Sequence, residues 1–496
     1  MNDNAQPELA GFAERVQVLD WESQIPSSRS IRRDPRMPLL ANSPGFTESM
    51  SHGWGSPSRS PKLTSGVAQA AKAHRQRLSE ALPGKTLVIA AGRSQLRVGD
   101  TFFPFRANSD FLWLTGYSIE DAVLVMTPTS TGHDASLYII APARPGEEAF
   151  YADANHGELW VGPAPGLAEL SSALDLKTEV ISALSPPENA LIAGASVVGP
   201  SAGAALSGKP RSPELTRGLS ELRMIKDAWE VEELRTAVNN TVEGFIQVHK
   251  EFTRAVNGGG ERWLQGTFDR HARAVGQAPG YATIVGAGPN AAILHWVDAA
   301  GEVNPADLLL LDMGVEAHSG YTADLTRTFP VNGTFSEQQR LVHDLVEKSH
   351  RAGLAAVRPG KLWADFHAAC MEVLAIGLFD WGLLPVSVDE SLSSLGQQHR
   401  RYVVCGVGHH LGLDVHDCES SSYEHYLGGT IETGMTLTVE PGLYFHQWDE
   451  TVPPELRGMG IRIEDDVLVT NTGIEVLSSA IPIDATGIET WLANHS

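Results

Sequence analysis

"CGVGHHLGLDVHD", residues 405–417, sets three histidines and two aspartates among glycines and aliphatic residues. A surface loop has no use for that many aliphatic side chains, and a plain core strand has no use for His409, His410 and His416. The run reads as a buried, strand-like segment that carries chemistry, its glycines letting backbone or ligand come close. Neighbours in an extended chain point to opposite faces, so His409 and His410 are not expected to share a job, and His410 reads as structural.

Acidic residues placed in or beside apolar strands extend this picture on either side. In ADLLLLDMGVEAHSGYTADLTRTF (306–329), Asp312 closes an apolar run, and Asp324 starts the alternation Asp324-Thr326-Thr328. In MTLTVEPGLYF (435–445), Glu440 stands between Val439 and a Pro-Gly pair. In GIRIEDDVLVT (460–470), Arg462 and Glu464 share one face by period-two alternation, opposite Ile461 and Ile463. Burying a carboxylate costs several kcal/mol unless a cation or hydrogen bonds compensate. Several such acids with an imidazole make a hard, oxygen-rich donor set suited to Mn²⁺, Co²⁺ or Zn²⁺, and numerous enough for two ions. Two ions can activate a water and polarise a carbonyl or phosphoryl oxygen, so spacing alone supports a dinuclear hydrolase and leaves amide and phosphoester substrates both open.

The rest of the chain sets bounds. At 496 residues it is too long for one typical domain. With 42% hydrophobic and 20% charged residues it has the balance of a soluble globular protein. A formal charge of −23 disfavours a nucleic-acid partner and favours metal cations. No apolar run reaches membrane-spanning length, and MNDNAQPELAGF has neither a basic nor an apolar leader region, so no membrane association is expected. Cys370, Cys405 and Cys418 are odd in number and suggest no disulfide framework, which points to a reducing cytoplasm.

Residues 1–65, rich in Ser, Pro, Arg and Gly, are expected to form a poorly ordered extension, with Trp21, Phe46 and Trp54 as anchors if it drapes on a neighbour. An α/β domain is expected over 66–217: a helix in VAQAAKAHRQRLSEAL, a buried strand in TLVIAAG, two strands around the turn in FLWLTGYSIEDAVLVM, and a strand in SLYIIAP. A second domain, 218–490, opens with an amphipathic helix marked by Val231, Leu234, Val238, Phe245 and Val248. Ser336 and Gln339 predict a capping box on a further helix, stopped by Pro359-Gly360.

Eight stretches in this order resemble the Xaa-Pro aminopeptidases (aminopeptidase P), relatives of prolidase among the pita-bread metallopeptidases. They are FPFRANSDFLWLTG (103–116), ELWVG (158–162), SELRMIKDAWEVEEL (220–234), ATIVGAGPNAAILHW (282–296), LLLDMGVEAHSGYTADLTRTFPVNGTFSEQQR (309–340), GVGHHLGLDVHD (406–417), TVEPGLYF (438–445) and RIEDDVLVT (462–470). The resemblance covers residues 66–480. It implies an N-terminal α/β domain followed by a pita-bread catalytic domain (α/β, of the α+β kind), assembled as a dimer or tetramer. By the same resemblance, two divalent ions, typically manganese, are held by Asp312, Asp324, His409, Glu440 and Glu464, with Asp324 and Glu464 bridging. Glu440 is then also the general base, and afterwards the proton donor to the leaving amine. His295 lies near the scissile bond, His416 contacts a substrate carbonyl beyond it, and Arg462 pairs with the liganding carboxylates.

The implied reaction is release of the first residue from Xaa-Pro-Yaa peptides. Prolidase action on Xaa-Pro dipeptides and a non-catalytic binding role are the alternatives. Two departures stand out. Cys405 occupies a position near the proline pocket that is often histidine in relatives. ELWVG is followed by Pro163-Ala164-Pro165 where relatives carry basic residues; there the tryptophan matching Trp160 can reach a neighbouring subunit's active site.

Overall fold

The structure is a computed structural model that describes residues 43–99 and 101–495. Residues 1–42, Trp21 among them, lie outside the described residues. The chain divides into two compact units, the first ending at Thr216 and the second running from Arg217.

The first unit is built on a mixed five-stranded sheet in the order Lys177–Val180, His133–Ile139, Val123–Pro128, Leu87–Ala90, Leu191–Gly194. Leu87–Ala90 is buried along its whole length; it pairs antiparallel with Val123–Pro128 and parallel with Leu191–Gly194. One expected strand is absent. FLWLT lies in the helix Ser109–Thr115, every residue of which is buried. An all-apolar run of this length has no periodicity to separate strand from helix. The signals that decide it flank the run: the Asn108 side chain accepts from the N–H groups of Asp110 and Phe111, and Gly116, at φ 70°, ends the helix in the left-handed region. Residues 43–65 begin with the helix Pro44–Met50 and lie against this unit. Phe46 meets Tyr151 edge-on at 4.9 Å, Trp54 meets Phe150 at the same spacing, and Arg59 forms an ion pair with Glu158.

The second unit opens with the expected helix, Ala228–His249, whose N-terminus is closed by a reciprocal box between Asp227 and Glu230. The box predicted from Ser336 and Gln339 is formed and starts the helix Glu337–Ala356, which packs beside Trp363–Asp380. One apolar core, including Phe245, Phe268, Leu309, Phe366, Leu374, Leu437 and Val467, joins these helices to the inner faces of the strands.

The strands form small, interrupted sheets. Leu308–Met313 lies between Leu325–Pro330 and Ile284–Ala287. Asp465–Thr470 lies between Thr436–Val439 and Gly473–Val476, and Gly442–Phe445 pairs with Met459–Arg462. Glu440 and Glu464 fall where their strands break. Pro441 has no N–H to continue a ladder, so the break at Glu440 follows from the sequence. A single bridge from Thr326 to Glu464 ties the sheets together there.

The histidine segment is not a regular strand. Beside Thr436–Val439 it forms one bridge, His410 to Leu437, with further bonds from Leu411 N–H to Thr436 O and from Thr438 N–H to His409 O. Gly408 has no room for a side chain: a Cβ there would lie 2.3 Å from the Thr438 carbonyl oxygen. The glycines that allow this approach also keep the segment irregular.

Candidate metal centre

Asp312 ends Leu308–Met313 opposite Thr326, and Asp324 lies just before Leu325–Pro330, two residues from Thr326 on the same pleat face. The bridge from Thr326 brings Glu464 to the same place, and Thr326 Oγ1 donates to Glu464 Oε2 at 2.7 Å. Ligand-capable atoms of Asp324, His409 and Glu464 all lie within 4.8 Å of one another. Tyr281 joins Asp312 to this group: its hydroxyl lies 2.6 Å from Asp312 Oδ1 and 2.5 Å from Asp324 Oδ1. Glu440 completes the cluster, with Oε1 3.5 Å from His409 Nε2. The five residues marked by the sequence thus converge, all from the second unit.

His409 is oriented by its own backbone. Nδ1 lies 3.1 Å from the His410 carbonyl oxygen, which can only accept, so Nδ1 carries a proton and Nε2 faces Asp324 and Glu440. His410 faces the other way, fully buried between Trp363 and Tyr426.

The electrostatics of the cluster bear on what it can hold. Burial pushes the Glu440 carboxyl up to about 7; His409 and Arg462 oppose that rise, and Asp324 adds to it. Burial, with the repulsion of Asp324, Glu440 and Asp312, drives Glu464 well above the usual carboxylate range. Asp312 is also raised, by burial first and Asp324 after it, against the pull of Arg462. Burial pulls His409 down, but Asp324 and Glu440 outweigh it and lift the ring to about 9. Buried carboxylates that repel one another around an imidazole lone pair fit a divalent cation by charge and by donor chemistry.

A ring of hydrogen bonds holds the carboxylates. Arg462 pairs with Asp312 and also donates to Thr326 Oγ1 at 3.0 Å and to the Tyr444 hydroxyl at 2.8 Å. Gly442 leaves the room Tyr444 needs, since a Cβ there would stand 2.7 Å from its hydroxyl oxygen. The histidine segment is pinned from behind: buried Asp417 accepts from Arg223 and, at 3.1 Å, from Lys226. Sequence reasoning missed Tyr281, Tyr444, Asp417, Arg223 and Lys226. Thr326 had a signal in its alternation with Asp324; Tyr281, ahead of any strand, had none.

Around this centre, the His416 ring lies 4.3 Å from that of His409 and is half exposed. Burial, and then the charge of His409, lowers its pKa, and His295 is close enough to contribute to the same lowering. Cys405 packs with Leu294 and Trp296 on an apolar cluster that includes Tyr444. Burial, and then Glu440, raises its thiol pKa. Trp160 lies in the first unit, 55% exposed, its indole N–H donating to the Tyr151 carbonyl oxygen.

Comparison with known proteins agrees with this geometry. Residues 232–471 match the model of metallopeptidase family M24, and residues 71–196 match the aminopeptidase P N-terminal domain. Xaa-Pro aminopeptidase 2 of Streptomyces coelicolor is 44% identical over 456 residues, spanning 90% of this chain and 96% of the relative. The Xaa-Pro aminopeptidase of Escherichia coli K12 is 34% identical over 428 residues, 82% of this chain and 93% of the relative. Among solved structures, zinc-substituted E. coli aminopeptidase P in complex with product aligns with a TM-score of 0.75 at 29% identity, covering 88% of this chain and all of that one. The same E. coli enzyme with the inhibitor Pro-Leu aligns equally well, with a TM-score of 0.75 at 30% identity, covering 88% of this chain and 99% of that one. With its N-terminal domain, its pita-bread domain and a cluster fitted for divalent metal, the chain belongs to metallopeptidase family M24 as a metallo-aminopeptidase of the aminopeptidase P group.

Proposed function

We propose that this enzyme releases the first residue from peptides with proline in second position, Xaa-Pro-Yaa, with two divalent ions, most naturally Mn²⁺, held by Asp312, Asp324, His409, Glu440 and Glu464. The convergence of these five side chains, with repulsion among the buried acids, carries the reading. When bound, the ions supply Lewis acidity that loosens a proton of water and polarises the scissile carbonyl.

The chain's own groups do the rest. Glu440, beside His409 in the cluster, accepts the water proton and hands it to the departing proline nitrogen, acting as a relay. His416, its pKa lowered by burial, and His295 offer imidazole N–H donors to substrate carbonyls as negative charge develops. Arg462, Thr326 and Tyr281 hold the carboxylates in place.

Proline explains the apolar side of the site. An Xaa-Pro bond has no N–H, so a pocket that demands an amide donor fits it badly. Cys405, Leu294, Trp296 and Tyr444 present a largely apolar wall against which a pyrrolidine ring can lie. We assign the enzyme to the cytoplasm on the strength of three free cysteines, Cys370 and Cys418 being buried. No helix among the described residues is long and apolar enough to cross a membrane. A homodimer or homotetramer is proposed, with Trp160 of one subunit reaching the substrate of another.

The deciding experiment uses metal-stripped enzyme, with and without Mn²⁺, on an Xaa-Pro dipeptide and the same dipeptide extended by one residue. Metal-dependent cleavage that favours the tripeptide is expected. Preference for the dipeptide would make the enzyme a prolidase, and stoichiometric metal binding without cleavage of either would leave a binding protein.

A further inference from the structure

Glu261 is a carboxylate with no exposed surface, in the first turn of the helix Gly260–Val275, and it takes no direct part in the proposed chemistry. It accepts four hydrogen bonds, all from neutral N–H groups. Oε1 receives the Ala287 backbone N–H at 2.7 Å and the Asn290 side chain at 2.9 Å; Oε2 receives the Trp296 indole at 2.7 Å and the Gly301 N–H at 2.6 Å. Its own N–H donates to the Gly301 carbonyl oxygen at 3.0 Å. One side chain therefore closes the stretch 287–301 at both ends and in the middle. Gly301 is shaped around it, because a Cβ there would stand 2.8 Å from the Glu261 carboxyl carbon.

That stretch carries the site's outer wall. His295 precedes Trp296 directly, and Trp296 packs with Leu294 and Cys405 on the apolar cluster containing Tyr444. Apart from its 3-10 turn, Gly288–Ala292, the stretch has no regular structure after Ala287 to fix its path. A fully buried carboxylate accepting four bonds is a stiff clamp, since losing one acceptor leaves N–H donors aimed at a side chain that no longer receives them.

We infer that Glu261 is a positioning residue: through Trp296 and the 287–301 backbone it sets where His295 meets the substrate and how the Trp296–Cys405 wall is shaped. This rests on the proposed role of His295, which the test below examines separately.

The test uses Mn²⁺-loaded full-length enzyme and the variants E261Q, W296F, H295A and E261Q/H295A. Metal content, melting temperature, kcat and KM on an Xaa-Pro-Yaa tripeptide, and backbone hydrogen exchange are measured for each. E261Q places an NH₂ group where two N–H donors now point, whereas W296F removes a single bond and leaves a smaller aromatic ring in place. The expectation is that E261Q binds metal normally and exchanges faster across 287–301 alone, with kcat/KM lower by about tenfold or more. In the H295A background the same change should cost no more than about twofold, because the two residues act as one unit.

Unchanged exchange over 287–301 in E261Q overturns the clamp, and so does an undiminished loss in the H295A background. If E261Q does not fold, W296F decides by exchange rather than by kinetics: unchanged exchange across 287–301 there overturns the inference, and faster exchange confined to that stretch supports it. An H295A enzyme as active as wild type removes the role of His295 itself and the inference with it. That failure is recognised from the single variant, whatever Glu261 does to exchange.

Discussion

His409 Nε2 lies 3.3 Å from Asp324 Oδ2, with the opposite ring nitrogen committed to the His410 carbonyl. A ring nitrogen and a carboxylate oxygen are thus brought face to face, an arrangement that a shared cation or a shared proton stabilises. His409 is lifted to about 9 here for that reason, against the pull of burial.

Asp324→Ala should therefore remove metal and activity together. We expect Mn²⁺ content to fall below one ion per chain and kcat/KM to drop by at least about 100-fold. Metal analysis beside peptide kinetics checks this, and Mn²⁺-dependent hydrolysis that survives the substitution would refute the ligand assignment.

Thr326 serves two partners at once, donating to Glu464 and accepting from Arg462. Thr326→Val keeps the volume and strands both, at a cost of about 1–3 kcal/mol in stability and about tenfold in metal affinity. Chemical denaturation of the metal-free protein and a competitive chelator titration measure the two effects. A variant indistinguishable from wild type in both would show that the threonine only fills space.

Asp417 lies buried between Arg223 and Lys226, whose charges outweigh burial and hold its carboxyl far below the usual range. Removing it takes a buried counter-charge from both cations, leaving Arg223 its pair with the part-exposed Asp414 at 3.0 Å and Lys226 its bond to the Arg223 carbonyl oxygen at 2.8 Å. Asp417→Ala is expected to destabilise the protein by about 3–5 kcal/mol. Because the segment it anchors carries His409 and His416, metal affinity should weaken as well. Calorimetry and metal titration test the pair of effects, and a loss of affinity at unchanged stability would contradict the anchoring role.

Stability should decline in mild acid through His343. Burial, with Arg340 and Arg327 nearby, lowers this ring from 6.5 to about 3, and neither ring nitrogen has a hydrogen-bond partner. Between those values the unfolded chain binds a proton that the folded chain refuses. Its contribution is therefore intact above the unfolded value and shrinks as pH falls, with a slope approaching about 1.4 kcal/mol per unit. Burial lowers His350, His367 and His410 as well, so His343→Leu should reduce the slope between pH 6.5 and 4 in metal-free buffer by up to about 1.4 kcal/mol per unit and raise stability at pH 5. Denaturant midpoints for both proteins across that range provide the check, and parallel curves would rule His343 out as the titrating group.

Much of the site could be read from local pattern. Period-two alternation placed Arg462 and Glu464 on one face, and the structure keeps both within the cluster, Arg462 donating to Asp312. Opposed neighbours separated His409, which faces the carboxylate cluster, from His410, which packs against Trp363. The box at Ser336 and Gln339 was legible because its partners lie within one turn of chain. FLWLT misled because a run buried on every side erases periodicity, and the histidine segment misled because its glycines let it approach Thr436–Val439 without joining the ladder.

Residue type, order and short-range spacing were enough to name the family, to mark five residues that converge in one cluster, and to read the cap at Ser336 and several strands, since each depends on pattern along the chain. The contacts that tune the site depend on packing between distant segments. Tyr281 reaches Asp312 and Asp324, Tyr444 reaches Arg462, and Glu261 reaches Trp296 and Gly301 across 35 and 40 residues. Nothing in a one-dimensional pattern tells a buried tyrosine or glutamate that fills space from one that holds a proton acceptor in place. Only the fold decides which donors each meets, because it alone sets which polar groups are shut away from water together.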